Sequence, residues 1–396
     1  MKKRILFVNN HLRTGGAENS LISLLNQLDF SRFEVDILLF QNDGSYLKRL
    51  PKEVNILESG IDSEYFLPFK KSIYRLSISG KFKSLLYRVY ASFATKIMRR
   101  NFDQVNALVM SLLSSWSPER HYDVAIAYKH MFSYFLIDKV NADRKIAYVH
   151  SDYKSYGLNP KYDRPYLNKI DAVATISDGC LNSLKEIFPE LSPKVIIAPN
   201  IISPLLIKKM AMENLSFNDN FDGIRIITVA RLDPIKGIDI AIQTCSMLMD
   251  HGYKFKWYII GGGNPKKYEG MIKELRLENI FIFLGEKTNP YPYIREADIY
   301  VQPSRTEGKS IAIEEAKVLC KPIVVTNYPT VSDQIQDGHN GLIVPISSIG
   351  IFHGINNMLN HPELQMQLSR NLLEENTGNE KDVEIFYNLI STSSTS

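Results

Sequence analysis

The chain predicts two doubly wound α/β domains with a cleft between them. Three observations carry this. Short apolar runs of β type alternate with amphipathic helical patterns, the signature of parallel sheets with right-handed crossovers. The alternation runs through two series separated by an irregular stretch after Pro199-Asn200, with Asn214, Asn218, Asp219 and Asn220. Finally, 396 residues accommodate about two to three domains at roughly 150 residues each.

In the first series strands are expected at residues 5–8, 34–40, 54–57, 124–128, 146–149, 172–176 and 195–198. The second series reads 225–229, 255–260, 280–284, 299–301 and 323–326. Between the first two strands the pattern 20–28 reads as a helix, and another is expected to begin near Ile238. A last helical pattern at 381–390 precedes a polar tail, 391–396. The expected division is a first domain over 1–202, a second over 203–375, and a segment 376–396 whose helix crosses back to the first.

With 44% apolar and 23% charged residues, the composition is that of a globular protein. Cys180, Cys245 and Cys320 have no metal-ligand spacing and point to a reducing compartment. No run reaches the ~18 apolar residues of a membrane span. The start, Met1-Lys2-Lys3-Arg4 followed by four apolar residues, superficially resembles a signal peptide. It stops at Asn9-Asn10-His11 without a cleavage site, so a cytoplasmic protein is expected. Charge is uneven. Residues 65–102 carry nine cations and no acid, leaving the remainder at −5 against a whole-chain net of +4.

Several residues could carry chemistry. Arg231 and Lys236 bracket a turn between a strand and a helix. Two cations beside a helix N-terminus suit a diphosphate, because backbone N–H groups and the helix dipole add to their charge; solvated loop cations are the plain alternative. Gly261-Gly262-Gly263 ends a strand and permits close approach of a ligand to backbone. No helix opens directly after it and the dinucleotide fingerprint is absent. Gly15 and Gly16, in Thr14-Gly15-Gly16-Ala17-Glu18, open a helix whose N-terminus would suit phosphate or an acceptor group. His150 directly follows a strand, where open α/β sheets bind ligands. Glu307 and Glu315 flank a polar turn and the following helix, again at a strand's carboxyl end. In isolation such a pair is most often solvated. No serine–histidine–aspartate arrangement and no metal cluster emerges.

Taken in order, the second half resembles the retaining glycosyltransferases of family 4, in group 1 of the glycosyl transferases, which have the GT-B fold. The matching pieces are Val229-Ala230-Arg231-Leu232 with Lys236-Gly237, the glycine turn 261–263, Phe283-Leu284-Gly285 and Ala297-Asp298-Ile299. They continue through Pro303-Ser304, Glu307-Gly308, Glu315-Ala316, Lys321-Pro322-Ile323-Val324, Asp337-Gly338 and Asn340-Gly341-Leu342. The first half agrees more loosely, through Gly15-Gly16-Ala17-Glu18, His150, Ile176-Ser177 and Pro199-Asn200.

The resemblance implies two Rossmann-like domains facing a cleft, and a sugar moved from a nucleotide-sugar, of UDP type, to a hydroxyl of a glycan. Arg231 and Lys236 would neutralise the leaving diphosphate, stabilising the transition state more than the ground state. Glu315 would bind the ribose and Glu307 the sugar or anomeric region. Backbone amides near Lys309, Ser310 and Ile311 would support sugar and phosphate, Gly263 the base, and His150 would orient sugar or acceptor. Gly15 and Gly16 would face the donor. No metal site or cofactor is implied, since the nucleotide-sugar is a substrate and magnesium could ride on it. Family members often have Phe-Gly after Glu-Gly where this chain has Lys309-Ser310, which puts a cation at the sugar end.

Residues 65–102 interleave their cations with Tyr65, Phe66, Phe69, Tyr74, Phe82, Tyr87, Tyr90 and Phe93, and Phe82, Leu85, Leu86, Val89, Tyr90, Phe93 and Ile97 form a helical stripe. A basic amphipathic helix suits an anionic membrane surface, each cation there being worth ~1 kcal/mol; the alternative is a stripe packed on the first domain. The expected partners are therefore a nucleotide-sugar, a glycan or lipid-linked acceptor and the inner face of the cell membrane. Nucleic acid is not expected, given the acidic remainder. Two other functions share the fold: a non-catalytic subunit binding a glycan or partner, and a sugar-nucleotide epimerase.

Overall fold

The computed structural model describes residues 2–13, 15–117, 120–154, 156–213, 217–375 and 377–391. Thr14 of the glycine motif, Asn214 of the linker and the tail beyond Ser391 lie outside them. Residues 17–199, with 2–13 and 381–391, form one compact unit; residues 200–380, with Gly15 and Gly16, form another.

The first unit is built on seven parallel strands: β1 (Lys3–Asn9), β2 (Phe33–Leu39), β3 (Val54–Glu58), β4 (Tyr122–Ala127), β5 (Ala142–Val149), β6 (Ala172–Thr175) and β7 (Val195–Ile197). Their order across the sheet is β3-β2-β1-β4-β5-β6-β7. Strand β1 is buried along Ile5–Asn9, as a central parallel strand covered on both faces must be. The second unit has six: β8 (Ile224–Val229), β9 (Phe255–Ile260), β10 (Phe281–Gly285), β11 (Ile299–Gln302), β12 (Ile323–Thr326) and β13 (Leu342–Val344), in the order β10-β9-β8-β11-β12-β13. The fold is GT-B. Every expected strand is present. Three-residue β13 was not anticipated, being too short to show a period.

In each unit the order reverses beside the first strand, between β1 and β4 and between β8 and β11. Neighbouring loops diverge there, leaving a crevice at the strands' carboxyl ends. Residues following β8 and β11 meet at the crevice of the second unit.

One local departure from expectation has a physical cause. The first helix begins at Gly16 rather than Ser20 and runs to Gln27. The carboxylate of Glu18 in its first turn favours that start. After Gly263 a helix (Lys266–Glu274) opens three residues on. The closing helix, Val383–Ser391, packs within the first unit. Phe386 stacks on Phe7, Tyr387 stacks on Phe33, and Arg144 Nε donates to the carbonyl of Leu389.

The basic segment folds as two helices, Phe69–Ile78 and Phe82–Lys96. The second buries its small side chains, Ser84, Ala91 and Ala94, against a core that includes Tyr65, Val105, Val109 and Leu113. Its large apolar side chains point to solvent: Phe82, Leu86, Val89, Phe93 and Ile97 are 48–72% exposed. Tyr74 and Ile78 of the preceding helix are exposed too. Some cations are used internally. Lys81 bridges Asp62 and Glu64, and Arg88 lies over Tyr65 and Phe69. Lys70, Lys71, Arg75, Lys83, Lys96 and Arg99 remain exposed.

Candidate active site

Strand β8 ends at Val229 and the chain turns through Arg231–Lys236 into the helix Ile238–Asp250. Asp233 sets the turn, its carboxylate accepting from the N–H of Ile235. Gly237 closes it in the left-handed region, at φ +65°. A Cβ there would lie 1.9 Å from the carbonyl oxygen of Pro303, so the turn presses directly on the loop following β11. That contact brings the side chain of Lys236 to the loop's carboxylate. Lys236 Nζ is 2.6 Å from Glu307 Oε2, with both side chains mostly buried.

The other carboxylate oxygen is held as well. Glu307 Oε1 accepts from Ser304 Oγ at 2.7 Å and from Gln302 Nε2 at 3.1 Å. The buried phenol of Tyr300 donates to Gln302 Oε1 at 2.6 Å. The loop's backbone is pinned from β12 onward: Thr330 Oγ1 donates to the carbonyl of Glu307, and Thr326 Oγ1 to that of Gln302. Gln334 caps the next helix, accepting from the N–H of Ser310 at 2.6 Å and donating to the Ser310 carbonyl and to Glu314. The loop is thus pre-organised rather than pliant.

Glu315 lies on the helix Ile311–Val318, buried, and accepts from Tyr291 at 2.9 Å. Burial, then the carboxylates of Glu315 and Glu307, push the phenol of Tyr300 well above its usual range. Tyr300 therefore stands within electrostatic reach of both glutamates.

The structure pairs Lys236 with Glu307, and the charges of Glu307 and Glu315 both bear on Tyr300. Ile311 opens the helix that carries Glu315, Lys309 is half-buried, and Arg231 is exposed on its turn. The N–H of Ser310 is engaged by Gln334. The glycine triplet has an unexpected neighbour. A Cβ on Gly261 would meet the carbonyl of Ala230 at 2.0 Å, and one on Gly263 the Cβ of Leu232 at 2.6 Å. Absent side chains here seat the Arg231 turn, leaving exposed backbone at Gly263 as the part that can meet a ligand.

Gly15, Gly16 and His150 lie outside this network. A Cβ on Gly16 would meet nothing within 4 Å among the described residues, so packing does not dictate that glycine. His150 follows β5, its ring stacked on Tyr148 and 4.7 Å from the ring of Tyr128. Tyr128 in turn bonds Ser20. Nearby, Lys129 and buried Glu18 form an ion pair. Burial and the charge of Lys129 push His11 down to about 4, although Glu18 draws it upward.

Sequence reasoning missed Gln302, Tyr291, Gln334 and Lys129, and named Ser304 and Glu18 as parts of matched motifs without their contacts. Gln302 had a usable signal of its own: strand alternation from Tyr300 puts both on one face.

A fold of two doubly wound units, with a lysine after the first strand of one meeting a glutamate after its fourth, defines a class: GT-B glycosyltransferases. Residues 213–374 match the family of glycosyl transferases group 1. That stretch of the chain matches the family, and the chain is a glycosyltransferase.

Among relatives, the N-acetylgalactosamine-N,N'-diacetylbacillosaminyl-diphospho-undecaprenol 4-alpha-N-acetylgalactosaminyltransferase of Campylobacter jejuni is 25% identical, over 92% of both chains. A putative colanic acid biosynthesis glycosyltransferase of Salmonella typhimurium is 29% identical over 31% of this chain and 32% of its own. Among solved structures, Anabaena HepE in complex with UDP-glucose superposes with a TM-score of 0.70, at 16% identity, covering 98% of this chain and 100% of the other. Staphylococcus aureus TarM, in complex with Fondaparinux, alpha-GlcNAc-glycerol and UDP, superposes with a TM-score of 0.67, at 15% identity over 98% and 100%.

Proposed function

We propose that the chain is a retaining glycosyltransferase of family 4 that moves a sugar from a UDP-sugar to a hydroxyl of a lipid-linked glycan. It would act in cell-surface polysaccharide or glycolipid assembly. The observation that carries this is the Lys236–Glu307 pair, built where the loops after β8 and β11 meet. In this reading the diphosphate of the donor takes up the lysine. Charge grows on the leaving phosphate as the glycosidic bond breaks, and a cation fixed in a water-poor site stabilises that charge without reorganising. Arg231, exposed at the start of the same turn, adds a second cation. The leaving phosphate accepts the acceptor's proton on the face it departs from, which retains configuration. Glu307 addresses the sugar, Glu315 the ribose hydroxyls, and Gly263 backbone the base. Lys309, Ser310 and Ile311 border the sugar and phosphate. Gly16 leaves room for a ligand, and His150 orients the sugar or acceptor. No resident metal is assigned.

The UDP bound in the HepE and TarM structures supports the donor, and the undecaprenol-linked substrate in the name of the Campylobacter relative supports a lipid-linked acceptor. The outward apolar stripe of Phe82–Lys96, ringed by exposed cations, supports peripheral attachment to an anionic membrane, here the inner face of the cell membrane. No helix among the described residues is long and apolar enough to cross one.

The test is to offer the purified chain a panel of nucleotide sugars with a lipid-linked acceptor extract and determine the product's anomeric configuration. Transfer with retention from a UDP-sugar is expected. Inversion removes the mechanism. A chain that neither binds nor hydrolyses any nucleotide sugar sinks the proposal altogether.

A further inference from the structure

The turn carrying Lys236 and the loop carrying Glu307 are separate in sequence, and one residue fastens them. Arg305 lies on the Glu307 loop, and its N–H and guanidinium bonds run to the Lys236 turn and the helix behind it. Its N–H donates to the carbonyl of Ile235 at 2.7 Å. Nη1 donates to the carbonyl of Pro234 at 2.7 Å and to Asp239 Oδ1 at 2.8 Å, and Nη2 reaches Asp239 Oδ2 at 2.6 Å. Asp239 sits in the first turn of Ile238–Asp250. The guanidinium thus holds both the carbonyl two residues before Lys236 and the carboxylate three residues after it.

We propose that Arg305 is a positioning residue, a clamp that sets the distance between Lys236 and Glu307 and so aims the ammonium at the donor diphosphate. This rests on the donor site proposed above. Three features favour it over a plain surface ion pair. The pair is bidentate, which fixes direction as well as distance. It is 34–42% exposed, and exposed pairs add little to stability, so its effect falls on geometry. The clamp also closes over Gly237, where the two segments already touch with no room for a side chain. The guanidinium bonds go to Pro234 and Asp239 rather than to Lys236 or Glu307, so the influence of Arg305 passes through the backbone turn.

The test uses the full chain with Arg305→Ala, Asp239→Asn and Arg305→Lys, assayed for donor hydrolysis or transfer. Arg305→Ala and Asp239→Asn are expected to lower kcat by about tenfold to a hundredfold, with donor KM and Tm nearly unchanged and Arg305→Lys intermediate. In the Lys236→Ala background, Arg305→Ala is expected to cost almost nothing more, because it acts through that lysine. A full additional loss there overturns the proposal. A second readout needs no turnover. Acetic anhydride labelling of Lys236, followed by peptide mass spectrometry, is expected to accelerate in Arg305→Ala. Labelling equal to wild type overturns the clamp. Faster labelling in a chain that shows no turnover with any nucleotide sugar keeps the clamp and removes the donor reading instead.

Discussion

The ammonium of Lys236 and the carboxylate of Glu307 face each other across 2.6 Å, one from the loop after β8 and the other from the loop after β11. Neither could reach its partner if the sheet order were sequential, since the two strands are neighbours only because the order reverses between them.

Removing one member should separate stability from catalysis. Lys236→Ala leaves Glu307 buried with Gln302 and Ser304 still bonded, so the stability cost is expected at about 2–3 kcal/mol, below the figure for a fully orphaned buried charge. Turnover is expected to fall about 10²- to 10³-fold. Adding Glu307→Gln should restore part of the lost Tm and none of the activity. Near wild-type turnover in Lys236→Ala would remove its role at the diphosphate.

Two glycines should respond oppositely to alanine. Gly237→Ala places a methyl 1.9 Å from a carbonyl oxygen at a positive φ, and is expected to cost about 2–4 kcal/mol. Gly16→Ala meets open space at the start of the helix Gly16–Gln27 and is expected to stabilise by up to about 1 kcal/mol. It should nonetheless lower turnover if a ligand occupies that space. Calorimetry and steady-state kinetics on both variants decide this; full activity in Gly16→Ala frees that glycine from ligand contact.

The outward stripe predicts attachment that can be cut without unfolding. Leu86→Asp with Phe93→Asp alters two exposed side chains, so Tm should hold. Partition onto vesicles rich in anionic lipid should drop about a hundredfold or more, on the transfer energy of two large apolar groups. Salt should weaken binding of the wild type. Unchanged sedimentation of the double variant with vesicles would dispose of this face as the anchor.

Acid should loosen the first unit through His11. Burial, with Lys129 and Arg13 against it and Glu18 and Asp43 for it, holds its folded pKa at about 4, below the ordinary 6.5. Between those values the unfolded chain binds a proton that the folded one refuses, so stability falls as pH drops through the window. The contribution amounts to about 3 kcal/mol at most. Tm measured from pH 7 to 4.5, roughly the window set by that shift, should decline less steeply in His11→Gln than in wild type. Parallel curves would show that His11 titrates normally.

Strand identities were legible because parallel strands buried on both faces are continuous apolar runs, as in Ile5–Val8 and Phe255–Ile260. Lys236 and Glu307 were legible as a pair of motifs in order. Their direct contact was not, since it depends on the reversed strand order and on Gly237 seating against Pro303. The outward face of Phe82–Lys96 was half legible. Periodicity gives an apolar stripe but not which side of the helix meets the core, and here alanines and a serine won that side. The glycine triplet was read as room for a ligand, whereas two of its three vacancies receive the backbone or side chain of Ala230–Leu232. Glu18 and Lys129 are more than a hundred residues apart in sequence and meet only through the β1–β4 pairing.

The helix Val383–Ser391 returns to strands near the amino terminus, where Phe386 stacks on Phe7, so the second unit is an insertion within the first. Residues 200–380 leave and re-enter their host through two covalent joints. A stop codon at residue 381 would therefore harm the unit it does not encode last, stripping a cover from Phe7 and Phe33 while leaving the strands of the second unit untouched. Conversely, the stretch 200–380 is one contiguous run of chain, whereas its host is assembled from segments on both sides of it.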